Sequence, residues 1–190
     1  DIYNFNNIKN VQVAYPFSSK INNVNYSFEI VPAQFNTAGF IEEQSPNPLN
    51  AFNVIYKNDG KGYGSTNTGF FLYMKEGSIA YQDFNFDQPV QDRVVDIDVN
   101  DINNTDVWVQ EISSTGLVQS NWKKVPTLSG QNIIYNSLAL SERNIFEVKT
   151  KLDDQIALQF SDGEFGNIPV GLYSIWYRAS ALKGESVQAN

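Results

Sequence analysis

The most chemical-looking stretch of the chain is FSDGEFGNIP, which spans Phe160–Pro169 and combines two acidic residues, two glycines and a proline. Loops of this kind can hold metal ions, cradle phosphates or present catalytic carboxylates. As metal ligands, however, Asp162 and Glu164 offer only two carboxylates, whereas calcium takes about 6–8 oxygen atoms. The stretch alone therefore makes a weak metal site.

The same stretch can be explained by backbone geometry. Ser161 and Asp162 can cap a turn with their side chains, and Gly163 and Gly166 can enter φ regions that are closed to other residues. An apolar strand precedes the stretch and an aromatic strand follows it. We therefore interpret it as a strand-to-strand connection, which Phe165 and Ile168 would attach to the core.

A second candidate site is DIDVNDINNTD, residues 96–106, which begins like a calcium-binding loop with Asp96, Asp98 and Asn100 as oxygen ligands. The pattern then fails, because an EF-hand needs glycine at its sixth position and glutamate at its twelfth, where Asp101 and Val107 stand. The alternative is a strand with an acidic face, followed by a turn. We favour the strand and turn.

A third candidate, DGKGYGST at residues 59–66, is similar in composition to a phosphate-binding loop. In a phosphate-binding loop, lysine is followed by serine or threonine and then by a helix. Here Lys61 is followed by Gly62, and aromatic strand sequence comes next. The glycines are more typical of a surface loop.

Carboxylates and aromatic rings leave two further functions open. A glycosidase needs two carboxyl groups ~5–10 Å apart, and 21 acidic residues make such a pair frequent by chance. Tryptophans and tyrosines can form a sugar-stacking platform, although in β proteins they are more often core residues. The tryptophans concerned are Trp108, Trp122 and Trp176.

Composition excludes several classes of site. The 190 residues contain no cysteine and no histidine, so disulfides, thiolate or imidazole metal sites and Ser-His-Asp nucleophiles are not possible. The net charge of −8, with 13 basic residues scattered among 21 acidic ones, argues against nucleic-acid binding. No apolar run approaches the ~20 residues of a membrane span. We expect no cofactor, and because the chain starts at Asp1, we expect a piece of a longer protein.

The elements that must position these residues are predicted to be strands. Period-two alternation recurs, as in RVVDIDV, where Val95, Ile97 and Val99 share one face. Phe70–Lys75 and Ile79–Phe86 flank Glu76-Gly77-Ser78 like the arms of a hairpin. The other predicted strands are Ser27–Val31, Ala51–Tyr56, Val107–Ile112, Asn144–Thr150, Gln155–Phe160 and Leu172–Ala179.

The sequence predicts a mainly β fold of antiparallel strands in two small β-rich domains. Helix is plausible only in short pieces, around Thr37–Gln44 and Asn136–Arg143, and NDINNTD is predicted to be a turn. The polar, proline-containing segment Asp87–Asp92 is the expected junction. The predicted domains are therefore residues 1–90 and residues 91–190.

The C-terminal part of the chain resembles the baseplate J-like family of contractile-tail phage proteins. In that family an F-G-D-G-x-x-G-x-x-P-x-G turn leads into a Y-R strand. Here Ser161 replaces the first glycine, and the matching residues are Phe160, Asp162, Gly163, Gly166, Pro169, Gly171, Tyr177 and Arg178. The resemblance covers roughly Asp106–Glu185. The segment DVWVQEI and the abundance of Asn and Tyr are most similar to the inner-ring wedge subunits of T-even-type phage baseplates.

The resemblance implies a structural protein of the virion and no catalytic residues. Such subunits form dimers within a ring around the tail hub, join other baseplate wedge proteins, and relay the change of shape that triggers sheath contraction. It also implies assembly in the bacterial host cytoplasm. Two other functions stay open: a carbohydrate-binding or adhesin-like β module, and a carboxylate-based glycosidase.

Overall fold

The computed structural model describes residues 17–31, 33–35, 37–38, 40–46, 55–57, 69–71, 73–128 and 143–180. The mainly β prediction is confirmed: these residues form strands and connections, and their helical part is limited to Arg143 and one 3-10 turn, Leu152–Asp154. Two compact units divide the chain, Asp1–Ser78 and Ile79–Asn190.

The first unit contains small antiparallel sheets. Strands β1 and β2 form a hairpin whose two-residue turn, Asn22-Asn23, has φ angles of 50° and 66°. Asparagine tolerates this left-handed conformation, so it suits the turn. β7 pairs with the other side of β2, and β3–β4 and β5–β6 form separate pairs. The strands are β1 (Phe17–Ile21), β2 (Val24–Ile30), β3 (Ala33–Phe35), β4 (Ile41–Glu43), β5 (Ile55–Lys57), β6 (Gly69–Phe71) and β7 (Met74–Glu76).

The second unit is built on one seven-stranded sheet. Its spatial order is β8-β14-β10-β11-β12-β13-β9, and the β11–β12 pair is parallel. The ladders β10–β14, β10–β11, β12–β13 and β9–β13 are antiparallel. The strands are β8 (Ser78–Phe86), β9 (Val94–Ile97), β10 (Ile102–Ile112), β11 (Val118–Lys124), β12 (Ile145–Thr150), β13 (Ile156–Phe160) and β14 (Gly171–Ala179).

The core of this unit lies on the inner face of the sheet. Alternate residues of neighbouring strands point inward, as period two requires. The sheet curls, so that Phe86 on edge strand β8 contacts Phe160 on β13 with ring centroids 5.9 Å apart. Apolar and aromatic side chains fill the interior, among them Val95, Ile97, Val107, Val109, Trp122, Phe146, Leu158, Tyr173, Ile175 and Tyr177.

The alternation predicted for RVVDIDV is confirmed. Val95 and Ile97 are 7% and 0% exposed, whereas Asp96 and Asp98 are exposed. The predicted strands reappear as β2, β8, β10, β12, β13 and β14, with bounds that shift by a few residues. Of the predicted strand Ala51–Tyr56, residues 51–54 lie outside the described part of the chain.

The predicted hairpin across Glu76-Gly77-Ser78 is wrong. β7 pairs with β2, whereas β8 pairs with β14. The N–H of Gly77 donates to the carbonyl of Ser27 at 2.9 Å, which continues the β2–β7 ladder. Pairing with strands that are distant in the sequence therefore overrides the local turn signal.

Two other local predictions fail for related reasons. NDINNTD is not a turn throughout, because β10 already starts at Ile102, and the polar residues that follow form a bulge between the pairs Ile102–Ala179 and Val107–Tyr177. The predicted helix at Thr37–Gln44 is wrong at Ile41–Glu43, which pairs with β3 as strand β4. Residues 136–142 of the other predicted helix lie outside the described residues.

The boundary between the two units differs from the predicted junction at Asp87–Asp92. It falls between Ser78 and Ile79, since β8 pairs with β14 and so belongs to the second unit. The polar segment after β8 instead links that strand to β9 within the same sheet. Its Asp92 N–H donates to the carbonyl of Ser161 at 3.3 Å.

Candidate functional site

The loop 161–170 connects β13 to β14 and is organised by the carboxylate of Asp162. Its Oδ1 accepts hydrogen bonds from the N–H groups of Glu164 and Phe165, at 2.9 and 3.3 Å, and from the hydroxyl of Ser161 at 3.2 Å. The bond from the Glu164 N–H, more than any other contact, holds the pKa of Asp162 below its usual value. The prediction that Asp162 caps the turn is confirmed, and the carboxylate stabilises the loop in its ionised form.

Arg143 attaches the same loop to the segment that precedes β12. Its Nη2 donates to the carbonyls of Gly163 and Glu164, at 3.1 and 2.6 Å, and its own carbonyl accepts from the N–H of Asn167 at 2.8 Å. The side chain of Asn167 also donates to Asn144 at 2.7 Å. Sequence reasoning missed Arg143, because a lone arginine far from the loop carries no local signal.

The glycines of the loop have different roles. Gly163 has a φ of 94°, as predicted. Gly171, for which no φ was predicted, also has a positive φ, 105°. The prediction of an unusual φ at Gly166 is wrong. A Cβ there would lie 2.7 Å from Cβ of Ser161 and 2.8 Å from Cγ1 of Ile145, so this glycine is needed for close packing.

The remaining motif residues are packed into the second unit. Phe160 is 0% exposed and Pro169 is buried. Tyr177 lies in the core, where its hydroxyl accepts a hydrogen bond from Gln82 at 3.3 Å. Arg178 is 1% exposed, and its Nε donates to Oδ2 of Asp106 at 3.0 Å. The motif therefore consists of core, turn and buried ion-pair residues that lie along β13, the loop and β14.

A groove of about 320 Å³ lies beside the loop. Its size is at the lower limit for ligand pockets. Several of its polar groups already bind one another: Lys149 donates to Gln159 at 2.5 Å, and Glu147 accepts from the N–H of Leu128 at 3.0 Å. The lining includes Asp92, Glu147, Lys149, Gln159, Ser161 and Asp162.

The electrostatics of Asp162 do not favour a role for this residue as a catalytic acid. A carboxyl group that donates a proton near neutral pH needs a raised pKa, which burial in an apolar pocket supplies. The pKa of Asp162 is lowered instead, chiefly by the Glu164 N–H. Within the described residues, no group of three or more acidic side chains is arranged to hold a metal ion.

The calcium-like segment is occupied by an ion pair. Nζ of Lys151 lies 3.1 Å from Asp96 and 3.3 Å from Asp98, on the exposed side of β9. The hydrogen bond to Asp96, and after it the bond to Asp98, raises the pKa of Lys151. The two carboxylates of the broken EF-hand pattern thus face a lysine. The other loop that suggested a ligand, residues 59–66, lies outside the described part of the chain.

The three tryptophans do not form one platform. Trp122 is a core residue, 6% exposed, with its ring centroid 5.4 Å from that of Phe160. Trp108 and Trp176 are half-buried and lie opposite each other on β10 and β14, on the outer face of the sheet. Tyr81 of β8 contacts Trp176 there, with centroids 4.5 Å apart. An aromatic row therefore crosses three strands on the outer face.

No helix in the described ranges is long and apolar enough to cross a bilayer.

The chain belongs to the family described as Domain of unknown function (DUF8360), whose model matches residues 1–190. No curated protein and no solved structure matches it. The family match extends over both units, including the first, for which the sequence offered no motif.

Proposed function

We propose that the chain is a structural subunit of a contractile phage tail baseplate, which assembles with itself and with other wedge proteins into a ring around the hub. In this role it would relay the change of shape that triggers sheath contraction. Its partners would be protein surfaces, and no cofactor would be required.

The observation that carries the proposal is the exposure of β1 at the edge of the three-stranded sheet. All five residues of β1 are exposed, including Ile21 at 50%. Among the described strands, β1 pairs only with β2. An exposed edge strand can add a strand from a neighbouring chain, and monomeric proteins usually protect such edges.

The construction of the motif supports the proposal as well. Asp162 holds a turn, Gly166 allows close packing, and Arg178 is paired with a buried carboxylate. These are the properties of a rigid framework. Such a framework is what a subunit needs when it transmits a movement to its neighbours as a body.

Two experiments test the proposal. Antibodies against the chain should label the baseplate end of contractile-tailed particles from the same source in electron micrographs. Sedimentation velocity of the chain, alone and mixed with the other wedge proteins, should show concentration-dependent association. Particles without label, together with a chain that stays monomeric in every mixture, would refute the proposal.

Introducing a charged side chain on edge strand β1 tests whether this strand is the interface. Ile21→Lys should weaken self-association by about tenfold or more, because a charged residue opposes edge-to-edge pairing. The matched control is Leu117→Lys, since Leu117 is 52% exposed in the turn between β10 and β11. Equal effects of the two variants would show that β1 is not the interface.

A further inference from the structure

The outer side of edge strand β8 presents three polar or aromatic side chains in alternate positions. Tyr81, Asp83 and Asn85 are exposed, and Tyr81 reaches 54%. The residues between and after them point the other way: Gln82 donates to the hydroxyl of core residue Tyr177, and Phe84 and Phe86 pack into or against the core. Because residues two apart in a strand are about 6.6–6.8 Å apart, the three side chains form a strip about 13 Å long.

One end of the strip is aromatic. The ring of Tyr81 lies over that of half-buried Trp176, with centroids 4.5 Å apart and an angle of 34° between the ring planes. A ring supported in this way has little freedom to move, and its outer face remains available to a ligand. Nε1 of Trp176 is buried without a hydrogen-bond partner, so the polar contacts of a ligand here would come from Asp83 and Asn85.

The middle of the strip is the carboxylate of Asp83, which a hydrogen bond from the neighbouring strand holds in place. The hydroxyl of Ser174, a residue only 6% exposed on neighbouring β14, donates to Oδ1 of Asp83. This bond orients the carboxylate of exposed Asp83, whose second oxygen can accept a further hydrogen bond. Asn85 adds an amide that both donates and accepts.

We propose that Tyr81, Asp83 and Asn85 form a binding site for a neutral pyranose sugar. One face of a pyranose carries C–H groups, which pack against an aromatic ring, and its edge carries hydroxyl groups, which donate to a carboxylate and exchange hydrogen bonds with an amide. Tyr81 supplies the aromatic ring, Asp83 supplies the hydrogen-bond acceptor, and Asn85 supplies the amide. The length of the strip allows a short oligosaccharide to lie along β8.

Charge restricts the class of sugar. Asp83 would repel a uronate or a sialic acid at short range, and the chain as a whole carries a net charge of −8. The site therefore selects neutral sugars over acidic ones. The inference does not depend on the proposed assembly role, because the strip lies in the second unit and β1 lies in the first.

The test is a glycan array probed with the whole chain. The array carries neutral oligosaccharides of glucose, galactose, mannose and N-acetylglucosamine, together with sialylated and uronate-containing glycans. At least one neutral glycan should be retained and the acidic ones should not. Titration of the chain with the retained glycan should change the tryptophan fluorescence, because Trp176 contacts Tyr81.

Substitutions then locate the site. Tyr81→Ala and Asp83→Ala should each weaken binding about tenfold or more, since the first removes the stacking surface and the second a hydrogen-bond acceptor. Two matched controls, Phe40→Ala and Glu42→Ala, remove an exposed aromatic ring and an exposed carboxylate in the first unit and should leave binding within about twofold. All variants should keep the wild-type circular dichroism spectrum.

Three results would overturn the inference: no neutral glycan is retained, acidic glycans are preferred, or Tyr81→Ala and Asp83→Ala bind as the wild type does. The outcome is separate from that of the assembly experiments. A chain that assembles but binds no glycan refutes only the sugar site, and a chain that binds glycan but stays monomeric refutes only the assembly role.

Discussion

Nε of Arg178 lies 3.0 Å from Oδ2 of Asp106, and the two side chains are only 1% and 2% exposed. The residues are 72 positions apart in the chain and meet because β14 and β10 are neighbours in the sheet. A buried charge is costly unless it is paired, so each residue offsets the free-energy cost of burying the other. The ion pair thereby ties the last strand of the unit to its centre.

Removing one partner of this pair should destabilise the second unit strongly. Asp106→Ala or Arg178→Met should lower the free energy of unfolding by about 3–5 kcal/mol, because the remaining charge loses the ion pair that offsets its burial. The double variant Asp106→Leu/Arg178→Met should be much closer to the wild type. Urea unfolding, followed by tryptophan fluorescence, measures the differences. A double variant whose loss equals the sum of the single losses would contradict this account.

The sequence predicted strands better than it predicted their partners. Alternation in RVVDIDV and QIALQF is a local property, and it correctly identified the inward residues Val95, Ile97 and Leu158. Which strand lies beside which depends on contacts between distant segments. The hairpin at Gly77 failed for this reason, and the pairing of β8 with β14 has no local signal at all.

The same holds for the candidate sites: contacts between near neighbours in the sequence were predictable, and contacts between distant segments were not. The turn at Asp162 was predictable, because its hydrogen bonds involve residues at most three positions away. The support from Arg143 and the burial of Arg178 were not, since both require the folded sheet. Asparagine and aspartate at positions 103–106 suggested a turn, but the hydroxyl and N–H of Thr105 bind Asn103 within a bulge of β10. Asparagine and aspartate therefore suit a bulge as well as a turn.

Gly166 should be intolerant of a methyl group, for reasons of space. In Gly166→Ala the new Cβ would lie under 3 Å from atoms of Ser161 and Ile145, both nearly buried, and we expect a loss of about 1–3 kcal/mol. Gly116→Ala is the control for backbone strain alone, because Gly116 has a φ of 79° and nothing within 4 Å of the added Cβ. Combining Gly166→Ala with Ser161→Gly should restore part of the stability. No recovery in the combined variant would show that the contact with Ser161 is not the cause.

Tyr173 should make the protein sensitive to alkali. Burial, and after it the charge of Glu111, raises the pKa of this phenol from 10.0 to about 12. Above pH 10 the unfolded chain releases the proton while the folded chain keeps it, so stability falls as the pH rises toward 12. The loss should approach about 2–3 kcal/mol. Thermal unfolding between pH 9 and 12 should therefore show a smaller decrease for Tyr173→Phe than for the wild type, and Tyr81→Phe, which removes an exposed phenol, should follow the wild type.

Asp162 should give the opposite response, at acid pH. Its pKa in the folded state is lowered, first by the N–H of Glu164, so the stabilisation is fully present above the unfolded value of about 3.9 and is lost as the pH falls through the folded value. Asp162→Asn keeps an oxygen acceptor for the Glu164 and Phe165 N–H groups but cannot ionise. At pH 7 it should be less stable than the wild type, and at about pH 2 the difference should be smaller, as urea unfolding at both pH values would show. Asp162→Ala, which removes the acceptor as well, should cost about 1 kcal/mol at pH 7. If wild type and Asp162→Asn differ equally at both pH values, the charge of Asp162 does not stabilise the loop.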